Sequence, residues 1–361
     1  MKIYVYAIAR NEEKFVNRWM DSMSEADGVF VLDTGSDDNT AELLRSRGAT
    51  VRQLSITPWR FDSARNAALE MVPDDAGICV STDIDEVFLP GWRAKLEAAA
   101  EKTGANLFSC FYAWSVNPDG SDGITFYIKK FHARKGFAWK GIVHEVVTPD
   151  ERTVLREAVA DGVKLIHLPD REKSREQYLP LLEAATREDP LNDRNSFYLG
   201  REYYFRAMYA DAERELMRHL SLPTAKWQEE RSASRRYLAK AEVMLGNKDA
   251  ALKNFVMGAG EYPYSREPWI ALGEFLYSEE DWEGAVWAMN RALAISSPSS
   301  SYLNDPVSFS AYPYDVLSIA YYNTGDYISA LECADAALAL SPGDARIRAN
   351  AEFFRRRLSV R

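Results

Sequence analysis

The sequence has few of the residues on which disulfide-bonded, metal-stabilised or membrane-embedded proteins depend. Its three cysteines, Cys79, Cys110 and Cys333, are widely spaced, and no CxxC or Cys/His ligand pattern occurs. Single, scattered cysteines indicate a reducing compartment. No apolar run reaches the length of about 20 residues that a membrane-spanning helix needs, and the first apolar segment is too short for a signal sequence. We therefore expect a soluble, cytoplasmic protein with no membrane span.

An excess of positive charge is also missing. The formal net charge is −10, which argues against non-specific binding to nucleic acid or to anionic membranes. Hydrophobic residues, at 47%, are numerous enough for a large core and too numerous for a disordered chain. A chain of 361 residues is longer than one typical domain, so we expect two.

Strand-like apolar runs alternate with helical patterns in the first part of the chain. Strands are predicted at residues 3–9, 28–33, 51–54 and 78–86, with helices between them. This alternation favours right-handed crossovers and a mainly parallel sheet covered on both faces. Ligands of such sheets bind beyond the carboxyl ends of the strands. Polar residues lie at the carboxyl ends of three of the predicted strands, and we expect them to converge at one edge: Asn11, Asp33, and the pair Asp83 and Asp85.

The fourth predicted strand ends in a DxD pattern. If the strand extends through it, Asp83 and Asp85 project from the same face because side chains alternate along a strand. Two neighbouring carboxylates repel each other unless a cation or a shared proton relieves them, and Mg²⁺ or Mn²⁺ prefers oxygen ligands. The alternative interpretation is an Asp-rich strand end that caps the next helix, since a lone DxD pattern is common.

Residues 106–167 are rich in predicted strands, and one segment within them carries titratable groups. Residues 139–145 read WKGIVHE, so a glycine lies close before His144 and Glu145. Such a glycine allows close approach of backbone, which would place the two titratable side chains beside a bound molecule. The alternative is that either residue is only structural.

After Pro169 the pattern becomes purely helical. A connector is predicted at residues 171–194, followed by a loose repeat marked by Ala212, Ala251, Ala285 and Ala330. The markers recur at intervals of roughly 34 to 45 residues, which is typical of helix-turn-helix tetratricopeptide units. A non-repetitive helical bundle is the alternative.

Four segments in this order carry a resemblance to a known family. They are IARNE at 8–12, VLDTGSDDNT at 31–40, ARNAAL at 64–69 and TDIDE at 82–86. Together they resemble glycosyltransferase family 2, which has the GT-A fold. The added helical repeats resemble peptide and protein glycosyltransferases of the bacteriocin S-glycosyltransferase type. One departure is Thr34, which stands where the family usually has a second Asp.

The resemblance implies an α/β GT-A domain over residues 1–170, a helical connector over 171–194 and an all-α tetratricopeptide-like domain over 195–361. It implies an inverting, metal-dependent glycosyltransferase of the hexosyltransferase type that uses a nucleotide-sugar, with a UDP-sugar expected. Ala9, Arg10, Asp33, Arg65 and Asp83 would bind this donor. The cofactor would be Mn²⁺ or Mg²⁺.

The same resemblance assigns the remaining site residues. Asp85 and His167 would hold the metal ion. Glu145 would be the base that accepts a proton from the acceptor, with His144 as the second candidate.

Three interpretations of the partner remain open. The acceptor is expected to be a peptide or protein bound through the helical repeats, or else a lipopolysaccharide or other glycan. A third possibility is a non-catalytic scaffold that carries a degenerate transferase domain. Aromatic residues of the repeats are expected mainly in the core, with a peptide groove or a homodimer interface as alternatives: Tyr203, Tyr204, Trp269, Trp282 and Trp287.

Overall fold

The structure is a computed structural model that describes residues 1–117, 119–170 and 176–359. The chain divides into two compact units, Met1–Ala185 and Thr186–Arg361. Residues 171–175, which begin the predicted connector, lie outside the described residues. No helix in the described ranges combines the length and apolar character needed to cross a bilayer.

The N-terminal unit is built on a sheet. Its strands are β1 (Ile3–Ala9), β2 (Gly28–Asp33), β3 (Thr50–Gln53), β4 (Ile78–Ser81), β5 (Glu86–Phe88), β6 (Leu107–Ala113), β7 (Thr125–His132), β8 (Phe137–Lys140), β9 (Val146–Pro149) and β10 (Glu157–His167). In the described ranges, eight strands form one sheet in the order β3-β2-β1-β4-β7-β6-β10-β5, and β8 pairs with β9 in a separate hairpin.

Most of the sheet is parallel. β1 lies between β2 and β4 and is parallel to both, β3 is parallel to β2, and β10 is parallel to β6. β7 is antiparallel to both of its neighbours, and β5 is antiparallel to β10. The carboxyl ends of β1, β2 and β4 therefore meet at one edge of the sheet.

Helices cover both faces of this sheet. They are α1 (Glu13–Ser22), α2 (Thr40–Ser46), α3 (Phe61–Glu70) and α4 (Trp92–Thr103). A further helix, α5 (Tyr178–Glu188), follows β10 in the chain. Side chains alternate along β1, so that Ile3 and Val5 join one hydrophobic core with Trp19. Tyr4 and Tyr6 join a second core on the opposite face. A continuous apolar strand is explained by burial on both faces.

The second unit is entirely helical within the described residues. Its helices are α6 (Asp193–Phe205), α7 (Tyr209–Ser221), α8 (Gln228–Met244), α9 (Lys248–Glu261), α10 (Arg266–Ser278), α11 (Trp282–Leu293), a short 3₁₀ helix (Pro306–Phe309), α12 (Tyr312–Thr324), α13 (Tyr327–Leu340) and α14 (Ala345–Ser359). Consecutive helices pack as antiparallel pairs around small residues. A Cβ atom on Gly200 would lie 2.6 Å from Leu216 Cγ.

The repeat markers predicted from the sequence are core residues. Ala212, Ala251, Ala285 and Ala330 are all fully buried, and each lies near the start of the second helix of a pair. Small side chains at these positions let paired helices approach closely, so the paired, all-α architecture predicted for this part of the chain is confirmed.

The aromatic residues of the repeats were predicted to lie mainly in the core. Among these aromatics, Tyr203 and Trp269 are buried as expected, whereas Trp287 is 54% exposed.

The predicted extension of the fourth strand through the DxD pattern is wrong. β4 ends at Ser81, and Asp83 and Asp85 lie in the turn before β5, where strand alternation no longer sets the direction of their side chains.

Candidate active site

The first part of the site lies at the carboxyl ends of β1 and β2. Ala9 and Asp33 are paired residues of these strands, and Arg10 follows Ala9 at the surface. Thr34 donates from its backbone N and from Oγ1 to the carbonyl oxygen of Ala9, at 2.9 and 3.1 Å. The residue that departs from the family pattern therefore ties the two strands together.

The carboxylate of Asp33 is buried, and its two oxygens differ in their hydrogen bonds. Its Oδ1 accepts hydrogen bonds from the backbone N of Gly35 and of Ser36, both at 3.0 Å. Its Oδ2 is also buried, and no group in the described parts of the chain donates to it. A buried carboxylate oxygen without a donor is costly, so Oδ2 is suited to accept an N–H or O–H group from a ligand.

The end of β8 and the turn that follows it are hydrogen-bonded to α3. The side chain of Asn66 exchanges two hydrogen bonds with the backbone of Trp139, donating from Nδ2 at 2.9 Å and accepting at Oδ1 at 2.8 Å. One turn earlier, Asp62 accepts a hydrogen bond from the backbone N of Gly141 at 3.0 Å. These contacts hold the turn that carries His144 and Glu145 against the buried face of α3.

Arg65, on that buried face, joins two carboxylates. Its Nη2 donates to Asp83 Oδ1 at 2.8 Å, and its Nε donates to Glu145 Oε1. The guanidinium also lies over the Trp139 ring, 5.0 Å from its centroid. Burial alone would raise the pKa of Asp83, but the charges of Arg65 and Lys130 outweigh it and hold that pKa well below its ordinary value.

A second buried ion pair adjoins the first. Lys130, on β7, donates to both carboxylate oxygens of Glu86 at 2.9 and 2.7 Å, and lies 3.8 Å from Asp83 Oδ2. Tyr112 also donates to Glu86, at 2.7 Å. Burial raises the pKa of Glu86 despite the opposing charge of Lys130. Neither Lys130 nor Glu86 was identified from the sequence.

Asp85 and His167 meet where β5 pairs with β10. His167 is the register partner of Glu86, and its Nε2 lies 3.3 Å from Asp85 Oδ2. Its Nδ1 is 3.0 Å from the carbonyl oxygen of Trp114. Because a carbonyl only accepts, Nδ1 carries a proton. Burial alone would lower the pKa of His167, but the hydrogen bond and the charge of Asp85 outweigh it and raise that pKa. When the ring is neutral, Nε2 presents its lone pair toward Asp85.

His144 makes a different contact. It adopts a left-handed backbone conformation with φ of 52°, and its Nε2 is 2.6 Å from the hydroxyl of Tyr178 on α5. The structure thus brings Arg65, Asp83 and Glu145 into direct contact, and Asp85 and His167 into direct contact. His144 is directed to Tyr178 instead of to Arg65.

Comparison with known proteins agrees with this architecture. Residues 4–163 match the family described as Glycosyl transferase family 2. The match covers most of the sheet and the helices α1 to α4, and it supports a glycosyltransferase. Together with the sheet order, it confirms the predicted GT-A-like α/β fold. None of the curated proteins matches the chain.

Several solved structures share a weak similarity with this chain. A chain of the APC/C hetero-tetramer Cut9-Hcn1 is 16% identical over 51% of this chain, with a TM-score of 0.40. This chain covers 33% of that chain, about a third of its length. MamA is 18% identical over 46% of this chain and 83% of its own, with a TM-score of 0.37. YrrB, a TPR protein, is 17% identical over 49% of this chain and 82% of its own, with a TM-score of 0.37.

Proposed function

We propose that the N-terminal unit transfers a sugar from a nucleoside diphosphate sugar, with a UDP-sugar as the expected donor, to a polypeptide acceptor with inversion at the anomeric carbon. The observation that carries the proposal is the placement of Arg65 between Asp83 and Glu145. It puts a cation suited to a diphosphate next to a carboxylate suited to deprotonate an acceptor.

The donor would bind across the edge formed by β1, β2 and β4. Asp33 Oδ2 is a buried acceptor that suits an N–H group of the base or a ribose hydroxyl. Ala9 and Arg10 flank it at the end of β1. Arg65 would contact the diphosphate, and Asp83 would contact the ribose or a metal-bound water.

Asp85 and His167 fit a divalent metal ion, Mn²⁺ or Mg²⁺. Two ligands at right angles around an ion at about 2.1 Å are roughly 3.0 Å apart, close to the 3.3 Å between His167 Nε2 and Asp85 Oδ2. The lone pair of Nε2 is fixed by the hydrogen bond of Nδ1 to Trp114. When bound, such an ion would neutralise charge on the diphosphate leaving group.

Glu145 would act as the base, with His144 as the second candidate. The acceptor atom would lose its proton to Glu145 and form a bond to the anomeric carbon. The bond from that carbon to the diphosphate oxygen would break in the same in-line step, and the nucleoside diphosphate would leave. Such an inverting displacement needs no second carboxylate as nucleophile, since no covalent enzyme intermediate forms.

The helical unit would bind the acceptor. Exposed aromatic side chains are suited to hold an extended chain. Five of them in the described part of this unit are at least 42% exposed: Phe205, Trp227, Tyr264, Trp287 and Phe353. A homodimer that buries these side chains is the competing use of the same surface.

The test is a product assay with the full-length protein. UDP-, GDP-, dTDP- and CDP-sugars are each supplied with Mn²⁺ and with either a mixture of peptides or a mixture of glycans, and nucleoside diphosphate release and acceptor mass are measured. Sugar transfer to a peptide, abolished in Asp85→Ala and retained in Glu157→Gln, supports the proposal. Transfer to glycans alone overturns the polypeptide acceptor. Absence of release and transfer with every donor overturns the enzyme and favours a scaffold.

A further inference from the structure

Three side chains with metal-binding chemistry meet in the helical unit, apart from the residues discussed above. Asp193 is the first residue of α6, His219 lies in the last turn of α7, and Glu230 lies in the first turn of α8. Each offers one oxygen or nitrogen atom, and these atoms all lie within 4.8 Å of one another. Three consecutive helices therefore contribute to one cluster.

The ring of His219 is fully buried, and its two nitrogens differ in their hydrogen bonds. Its Nδ1 is 2.7 Å from Ser234 Oγ. Its Nε2 is buried, and within the described ranges no group forms a hydrogen bond with it. Glu230 Oε1 is 3.4 Å from Nε2, at ion-pair distance but without hydrogen-bond geometry. A buried ring nitrogen left in this state is costly unless something else binds it.

Both carboxylates are arranged so that an oxygen remains available to the cluster. Glu230 uses Oε2 to accept a hydrogen bond from the hydroxyl of Tyr302 at 2.8 Å, which fixes Oε1 on the side of His219. Asp193 is only half-buried, so it provides access from solvent. Outer contacts of this kind, from Ser234 to the imidazole and from Tyr302 to the carboxylate, are typical of metal sites because they orient the ligands.

We propose that Asp193, His219 and Glu230 bind a divalent transition-metal ion of the Zn²⁺ type. Two ligands that share a tetrahedral zinc ion at about 2.1 Å are roughly 3.4 Å apart, the separation of His219 Nε2 and Glu230 Oε1. One imidazole and two carboxylates form a donor set that zinc accepts with water as a fourth ligand. Two carboxylates and a neutral imidazole carry a charge of −2, which the ion would balance.

A protonated His219 is the competing explanation. An imidazolium paired with Glu230 would also reduce the negative charge of the cluster, and the charge of the exposed residue Arg194 acts on Glu230 as well. In that case the cluster would have no affinity for metal. The two explanations differ in one measurable quantity, the binding of Zn²⁺ by folded protein.

The experiment titrates Zn²⁺ against a chromophoric chelator in full-length protein that carries Asp85→Ala, which removes the metal ligand expected in the other unit. We expect one Zn²⁺ per chain, and a loss of affinity of at least about 100-fold in His219→Gln, beyond the 10- to 100-fold effect of outer contacts such as Ser234. Glu229→Gln is the matched control. Glu229 is the neighbouring buried carboxylate, which accepts hydrogen bonds from Ser299 and Ser301, and its replacement should leave affinity unchanged.

Asp193→Asn keeps the test decisive if His219→Gln does not fold, because Asp193 is half-buried and its amide retains the shape of the side chain. It should also weaken Zn²⁺ binding while circular dichroism stays unchanged. Co²⁺ bound in place of Zn²⁺ should give visible absorption typical of tetrahedral coordination, which His219→Gln removes. Absence of Zn²⁺ binding in the Asp85→Ala protein overturns the proposal. So does a Zn²⁺ affinity in the His219→Gln and Asp193→Asn variants that equals the affinity of the Asp85→Ala protein.

Discussion

Arg65 and Glu145, 80 positions apart in the chain, form a buried ion pair between Nε and Oε1. The side chains are 8% and 9% exposed, so little water screens the contact. The proposed base is thus joined to the cation proposed to bind the diphosphate. A donor that engages Arg65 would compete with Glu145 for the same guanidinium, which couples donor binding to the availability of the base.

Replacement of Glu145 by Gln separates its proposed role as the base from its role as the anion paired with Arg65. We expect turnover to fall by about 10²- to 10⁴-fold, the usual contribution of a general base. We also expect UDP affinity to be equal or a few-fold higher, since Arg65 loses a competing anion. Initial rates and calorimetric titration measure the two effects. Unchanged turnover would exclude Glu145 as the base, and His144→Gln would then be the variant to lose activity.

Replacement of Arg65 by Met should destabilise the N-terminal unit. It leaves the carboxylates of Asp83 and Glu145 without their main counter-charge, and breaking a buried pair costs about 3 kcal/mol or more. Arg47→Met is the matched control, because its pair with Asp21 is exposed and such pairs contribute about 0–1 kcal/mol. Urea unfolding measures both. Equal losses in the two variants would contradict the buried network.

Lys130 and Glu86 should behave as one unit. Lys130→Met and Glu86→Gln each leave a buried side chain without its main charged partner, whereas the double variant removes the pair with its desolvation cost. We expect each single variant to lose about 3 kcal/mol and the double variant to lose clearly less than the sum, with an interaction energy of about 1–3 kcal/mol. Additive losses in a double-mutant cycle would show that the two side chains act independently.

His132 makes stability depend on pH. Its Nδ1 donates to the carbonyl oxygen of Ala133 and its Nε2 accepts from the Tyr6 hydroxyl at 2.7 Å, and Trp139 Nε1 donates to that hydroxyl. A neutral ring satisfies all of these contacts. Burial lowers the pKa of His132 from 6.5 to about 4.

Between pH 6.5 and 4 the unfolded chain therefore binds a proton at His132 that the folded chain does not, so stability falls as the pH falls through this window. The full effect is about 3 kcal/mol. Urea unfolding at pH 7.5 and pH 4.5 should show a larger loss in wild type than in His132→Gln. The same loss in both proteins would rule out His132 as the source.

Much of the sheet could be predicted because its signals are local. β1, β2 and β4 are continuous apolar runs that end in polar residues, and burial on both faces requires such runs. Parallel pairing then brings their carboxyl ends to one edge. The paired helices were predictable for a similar reason, since small residues such as Ala251 recur where helices cross.

The features that could not be predicted from the sequence depend on contacts between distant segments of the chain. Lys130 meets Glu86 because β7 inserts antiparallel between β4 and β6, and no local pattern around Lys130 encodes that position. The turn at Asp83 and Asp85 was missed because a strand-like sequence continues past the last ladder partner, Ser81. His219 was missed because a single histidine on an amphipathic helix is ordinary until two other helices place carboxylates beside it.

Metal-linked nucleotide binding at Asp85 is the property to measure first. Unfolding of wild type, Asp85→Ala and the control Asp161→Ala, whose side chain is exposed on β10, is followed with UDP and Mn²⁺ together and separately. UDP with Mn²⁺ at about 100 times its dissociation constant should stabilise wild type and Asp161→Ala by about 2.7 kcal/mol, and Asp85→Ala much less. An absence of stabilisation in folded wild-type protein, or equal stabilisation of all three proteins, would contradict a metal-assisted donor site at Asp85.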